Sequence, residues 1–446
     1  MSTTESQPAA RRSATYRTLF QEREYRTLFA ADVVSQLGDQ VAAVALAVLV
    51  YGASASPLLA ALAYSLVFLP WVLGGPLLAA LAERMPSRVV LVGSDLSRAA
   101  LFGLAAVPGL PLAVLALLLL CGSLLSPPFR SARSALIPQI LDDESYTLSL
   151  SVEEVLNQTA QLAGFVTGGA LILLLDPHGA LAINAASFAV SGLVLRRGLA
   201  RRAAATIRTD RTSLLREALA GLHIIASSPA LRRPLVLAVV GATYVVVPEA
   251  IAPAFVAEAG GGPVGVGLVM GAVATGSAVG AVVMARFVSP DLRSRLMEPL
   301  ALAGTVPLLL IAMRPSLPVA LALFLLAGLC TAYNVPANAC FAAAVPPGAR
   351  ARAFGLAMTA MMTGQLFGVL LGGLLAEVLD PSQVVGVAGA AGLLTILALR
   401  LDRAGPAGPA VVDLDPAFGA SPTDSTAGPV RSPDVGRSGR TAPRHR

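Results

Sequence analysis

A membrane-spanning helix needs about 20 consecutive apolar residues, and run after run of this chain meets that length. Of its 446 residues 55% are hydrophobic and only 13% are charged. A soluble domain carries roughly 25% charge to cover its surface. This chain lacks the charge to be a soluble enzyme, a nucleic-acid binder or a disordered regulator. An outer-membrane barrel is also excluded, because barrel strands alternate apolar with polar residues and these runs are solidly apolar.

The pattern predicts an all-α integral membrane protein with twelve transmembrane helices, read at 28–52, 57–82, 89–107, 110–131, 149–175, 179–196, 234–257, 263–287, 296–313, 316–341, 350–378 and 382–400. Residues 1–27 form a polar N-terminal arm, 28–196 a first six-helix bundle, 197–233 a basic linker, 234–400 a second bundle and 401–446 a disordered tail. Within the linker, 213–227 (with His223) is amphipathic and reads as a surface helix. No signal peptide is expected, since the first apolar run starts late and is too long. All 32 basic residues are arginine. They crowd the N-terminal arm, the turn with Arg84 and Arg88, the linker, and the turns with Arg293, Arg295, Arg350 and Arg352. The opposite turns carry only Arg314. The positive-inside rule then places both termini and the linker in the cytoplasm. Cys121, Cys330 and Cys340 sit inside apolar runs and read as packing residues.

The two bundles are related. Residues 159–177 and 363–381 are identical at ten of nineteen positions at an offset of 204, including Thr159/Thr363, Gln161/Gln365 and Asp176-Pro177/Asp380-Pro381. The fifth helix therefore corresponds to the eleventh, giving two pseudo-symmetric halves. Repeats of this kind place a substrate path between the halves, near mid-membrane.

This arrangement resembles the major facilitator superfamily. That family's second-to-third-helix motif G-x-L-A-D-R-x-G-R is similar to Ala79–Arg88, where Leu81, Ala82, Arg84 and Arg88 match and Glu83 keeps the charge. The family's antiporter motif G-x-x-x-G-P-x-x-G-G resembles the stretch with Gly164, Gly168 and Gly169, where Phe165 replaces the usual proline. Ser35–Asp39, Ser94–Arg98 and Pro128–Pro138 resemble the macrolide-efflux and enterobactin-exporter branch. The resemblance implies alternating access, with Glu83, Arg84, Arg88, Asp95, Arg98 and Arg130 as a cytoplasmic gate network in which Asp95 and Arg98 could pair.

Ionisable groups at membrane depth are costly and usually face a cavity or a partner. Asp32, Gln36 and Asp39 share one face of the first helix, with Asp39 roughly 16 Å deep. Glu249 follows Pro248 in the seventh helix, where proline frees a carbonyl and invites a bend. Asp39, Glu249 and Asp32 are the proton-coupling candidates. Gln36, Asn157, Gln161, Tyr244, Asn334, Asn338 and Trp71 are the substrate-cavity candidates. Glu153 heads the polar stripe that continues through Asn157 and Gln161. Gly164, Gly168, Gly169 and their repeats Gly368, Gly372 and Gly373 are expected to let helices approach closely.

The leading expectation is a secondary transporter of the bacterial inner membrane, working as a monomer and exporting small amphipathic or hydrophobic compounds for protons. Drugs, antibiotics or siderophores would fit. Proton-coupled uptake of a metabolite is the alternative, and a non-transporting sensor or scaffold a third reading. No catalytic, cofactor or metal motif is present, and without lysine there is no phosphate-binding G-x-x-x-x-G-K-[ST] loop.

Overall fold

Inside a bilayer every backbone N–H and C=O must be bonded within the protein, which leaves helices as the solution for apolar runs of this length. The computed structural model describes residues 16–73, 85–202, 228–345 and 350–401, and these are helical almost throughout. A short turn at Tyr16–Leu19 precedes α1, Arg23–Ser54. α2 runs from Pro57 to Ser65 and resumes at Leu69–Leu73; α3 is Ser87–Ala105. α4 joins Leu112–Ser123 to Ser126–Ile140. A continuous run, Asp143–Gly198, is bent at Asp176 and supplies both α5 and α6. Asp176 takes a left-handed φ of 59°, and its Oδ1 accepts from the N–H groups of His178 (2.7 Å) and Gly179 (3.0 Å), capping α6.

The second half repeats the plan. α7 comes in three pieces, Pro229–Val245, Val247–Ala250 and Ala252–Glu258. Pro248 and Pro253 open the second and third pieces, so the bend expected at Pro248 is present and a second follows it. α8 is Pro263–Phe287 and α9 Pro290–Ile311. α10 runs Leu317–Cys330, tightens to a 3-10 turn at Thr331–Tyr333 and continues as Asn334–Ala344. α11 is Arg350–Leu375 and α12 Pro381–Leu401.

Nine helical runs among the described residues are long and apolar enough to cross a membrane. One of them, Glu144–Gly198, holds two of the twelve expected helices. α2 is interrupted, and α3 carries Arg88, Asp95 and Arg98, so neither meets that measure alone. The largest boundary shift is at α4, which runs on to Ile140 instead of ending at 131; α1, α5, α7 and α9 each start five or six residues earlier than expected, α7 inside the expected linker. The expected surface helix at 213–227 and the tail from 402 lie outside the described residues.

The turns after α1, α3, α5, α7, α9 and α11 lie at one end of the bundle, called here the far end; the opposite end is the arginine end. Packing differs between them. The largest buried cluster mixes both halves, joining Val44, Tyr64 and Phe165 to Val247, Phe255, Met270 and Phe324. At the arginine end the clusters separate. One is built from the first half alone, around Leu19, Leu91, Phe129 and Leu195. Two others, around Leu231 and Phe341 and around Leu237 and Tyr333, belong to the second half. Among the described residues, the buried clusters join the two halves at the far end and stay within one half at the arginine end.

The repeated glycines explain the fusion. A Cβ on Gly164 would strike Gln40, and one on Gly168 would lie 3.2 Å from the Val41 Cα, so these two let α5 pack on α1. One residue on, a Cβ on Gly169 would lie 2.8 Å from the Pro263 carbonyl oxygen, across the halves in α8. The repeat behaves alike: Gly368 and Gly372 seat α11 on α7 at Thr243 and Val247, while Gly373 meets Leu58 and Ala61 of α2 in the other half. Of the repeated glycines, each helix thus presents two to its own half and one across the divide. Gly368→Val is expected to lower the yield and melting temperature of folded protein, because the Thr243 backbone has no room to move within the half. Gly373→Val is expected to keep yield but hold the far end apart. A spin-label distance between Leu174 and Met313, both exposed at the far end of different halves, measured in a cysteine-free background, would lengthen only in the second variant.

Candidate functional site

A cavity of about 250 Å³ is lined mainly by the first half, with Glu249 and Gln365 reaching it from the second. It extends from Asp32, Arg133 and Glu153 towards the arginine end, past Gln36 and Asp39 at mid-helix, to Tyr64 and Glu249 at its floor. Of the expected residues, Asp39, Glu249, Asp32, Gln36, Gln161 and Trp71 line it. So do Arg98 and Arg130, which were expected in the gate network instead.

The cavity-facing polar groups fall into two sets. The first is already paired. Arg133, buried beside α1, bonds Asp32 (Nη2–Oδ2 3.2 Å) and Glu153. Glu249 accepts from the Tyr64 hydroxyl at 2.7 Å, a buried bond between α2 and α7 that crosses the halves. Arg98 donates to the Gly122 carbonyl (3.3 Å) and Ser126, with its guanidinium 4.8 Å from the Phe188 ring centre. The second set is open. Among the described residues, no side-chain hydrogen bond or ion pair is made by Gln36, Asp39, Gln40, Arg130, Gln161 or Gln365. Arg130 rests over the Trp71 ring at 5.6 Å, a cation–π contact that leaves its five N–H donors free. A wall of unpaired donors and acceptors beside Phe68 and Phe102 can take a molecule with an apolar body and a polar group.

Four expected cavity residues lie elsewhere. Tyr244 packs towards α12, its hydroxyl 3.3 Å from Thr395 Oγ1, because the break at Val246 separates its face from that of Glu249. Asn334 is half-buried and Asn338 exposed, both beyond the 3-10 turn of α10 and neither in the cavity. Asn157 is half-buried one turn from Gln161 but does not line the cavity.

The expected gate network is dispersed. Glu83 and Arg84 lie outside the described residues. Arg88 donates to the Arg196 carbonyl at the end of α6. Asp95 is fully buried and accepts from Ser191, so the Asp95–Arg98 pair expected from their spacing is replaced by separate partners on α6 and α4. Both sit about 12–17 Å along α3 from Ser87, too deep to bridge the halves at the arginine end.

Gln365 and Tyr64 are site residues that the sequence reading missed. The 204-residue offset maps Gln161 onto Gln365, and the two glutamines face the same cavity from opposite halves. Nothing in one sequence pairs Tyr64 with Glu249, 185 residues away.

Beyond the end of α11, Glu377 reaches across to α2. Its Oε1 accepts from the Ser56 hydroxyl and from the Leu58 N–H at 3.0 Å. These bonds, Ser56 first and Leu58 second, hold its carboxyl below the usual carboxylate range. A depressed pKa means the tie is present while Glu377 is ionised and fades as pH falls through the lowered value. Acidifying the far face, or Glu377→Ala at neutral pH, is therefore expected to lengthen the Leu174–Met313 distance. Glu377→Ala should also remove the part of the acid response that this tie carries.

The profile of the Major Facilitator Superfamily matches residues 28–297 and 250–416. An uncharacterised MFS-type transporter, YfiS of Bacillus subtilis (strain 168), is 28% identical over 170 residues, which is 38% of this chain and 40% of that protein's length. Among solved structures, a POT family transporter in complex with a thioalcohol-conjugated peptide superposes with a TM-score of 0.64 at 11% identity, covering 87% of this chain and 96% of that one. A point mutant of the nucleoside transporter NupG gives 0.63 at 14% identity, covering 84% and 99%. A bacterial homologue of the iron transporter ferroportin, in its inward-facing state, gives 0.63 at 18%, covering 87% and 99%. At these identities the structural likeness speaks to fold alone, and it agrees with the two-half bundle described above. With the profile spanning nearly the whole helical region, this multi-pass membrane protein belongs to the major facilitator superfamily.

Proposed function

We propose that the chain is a secondary transporter that exports small amphipathic or hydrophobic molecules in exchange for protons. The observation that carries this reading is the unpaired Asp39 at the middle of a cavity sealed at the far end. A carboxylate there meets protons and ligand on one surface, so each can displace the other. Glu249 is the second proton candidate. Asp32, tied to Arg133, reads as a structural member of the wall.

The arginine-rich end is the cytoplasmic one by the positive-inside rule, with both termini inside and the bilayer a bacterial cytoplasmic membrane. The cavity then opens inwards, the state in which an exporter loads. Drugs, antibiotics and siderophores match its mixed lining, and one copy of the chain holds the whole site.

Expression in an efflux-deficient host tests direction and substrate together. Export predicts lower cellular accumulation of, and lower susceptibility to, some amphipathic compounds in a panel. Raised accumulation would instead favour proton-coupled uptake.

A further inference from the structure

We propose that the Tyr64–Glu249 hydrogen bond is the coupling latch of this transporter: it holds the empty, deprotonated carrier with its far end closed. The inference rests on the proton-exchange reading and assigns Tyr64 a positioning role in it.

Proton exchange has a strict requirement. A carrier loaded with substrate or with a proton must reorient, but an empty carrier with its carboxylate charged must not. If it does, protons pass without substrate moving. Something must therefore hold the empty charged carrier more firmly than the loaded one.

The geometry supplies this. Tyr64 lies about 10 Å from the far end of α2, and Glu249 about 14 Å from the far end of α7. The bond between them is buried and spans the halves on the sealed side of the cavity. Opening the far end has to separate Pro57–Ser65 from the α7 segments and break it. Glu249 also sits in the shortest piece of α7, between interruptions at Val246 and Ile251, where small backbone changes move it. No other charged group bonds to it among the described residues. The other charges lining the cavity are Asp32, Asp39, Glu153, Arg98, Arg130 and Arg133, all from the first half. Tyr64 is thus the one bonded reader of the state of Glu249.

Hydrogen bonds to a charged acceptor are about twice as strong as neutral ones. With Glu249 ionised and the cavity empty, the latch is at full strength. A substrate donor that takes the Glu249 oxygen displaces Tyr64 and frees the far end. A proton arriving from the far side neutralises Glu249, weakens any return of the bond, expels substrate and lets the carrier swing back. Loss of that proton to the arginine side, by way of Asp39 in the same cavity, restores the charged Glu249 carboxylate and the latch. One proton moves in per turn, and none moves without cargo.

The test uses the full-length protein in phosphatidylethanolamine–phosphatidylglycerol vesicles with no substrate, an imposed pH gradient and an internal pH dye. Tyr64→Phe keeps the ring and removes the donor. It is expected to raise proton leak on the order of tenfold, since a charge-assisted bond no longer opposes the empty return. Adding Glu249→Gln to it should abolish the leak, because the proton's entry point from the far side is then gone. A folded Tyr64→Phe variant with wild-type leak overturns the latch. If that variant does not fold, Glu249→Gln alone decides: it should lengthen the Leu174–Met313 distance at neutral pH, and an unchanged distance overturns the proposal. The leak assay needs no substrate, so it separates the two readings. Export by the wild type without leak in Tyr64→Phe removes the latch only. Leak in Tyr64→Phe with no compound exported by the wild type sustains the latch and removes the export reading.

Discussion

Replacing Arg133 by methionine is expected to remove most of the folded protein. Arg133 is buried with Asp32 against it, and Glu153 completes the cluster from α5. Methionine fills much of the arginine stem's volume, so packing is largely kept and the change is electrostatic. Asp32 is left as a buried charge without its cation, and Glu153, which is partly exposed, loses its partner as well. Breaking a buried pair from one side costs about 3–5 kcal/mol, against a total stability of roughly 5–15 kcal/mol. Yield and melting temperature by fluorescence-detected size exclusion should fall sharply. Asp32→Asn with Glu153→Gln in the same chain should restore much of the loss, because no charge is then left unpaired. A normal yield for the single variant would mean that water reaches Asp32 from the cavity.

The second large effect is on transport. Asp39→Asn keeps the side chain's size and removes its proton. A pH difference of one unit is worth about 1.4 kcal/mol per proton, a tenfold concentration ratio. The wild type is expected to build such a gradient of substrate. The variant, fixed in the neutral form, is expected to reach no more than equal concentrations on both sides while still exchanging substrate across the membrane. Gradient-driven and counterflow transport, measured in the same vesicles, check the two halves of this statement. Full uphill transport by the variant would remove Asp39 from the proton path and leave Glu249 as its carrier.

Much of this was legible because membrane segments announce themselves. Long apolar runs set the helix count, and the repeat at 159–177 and 363–381 set the two halves. The repeat also located the close helix contacts, since glycines in register have no other evident use. The face of α1 carrying Asp32, Gln36 and Asp39 was read from periodicity and does line the cavity. The misplacements of Tyr244, Asn334 and Asn338 share a cause. All three sit next to interruptions in α7 and α10, and an interrupted helix turns its faces by an amount that spacing does not encode. Asp95 and Arg98 are a helical turn apart, but each found a nearer partner on another helix. Tyr64 and Glu249 meet only through the packing of two halves.

On the exchange reading, cargo and protons share this cavity and move in opposite directions. This exchange is tested most directly by proton movement on addition of a substrate identified from the susceptibility panel. Purified protein is placed in vesicles with equal pH on both sides, and substrate is added to one side only. Protons are expected to flow towards the substrate side as substrate leaves it, with the flow lost in Asp39→Asn. Substrate crossing with no proton movement, or with protons travelling alongside it, would contradict the account.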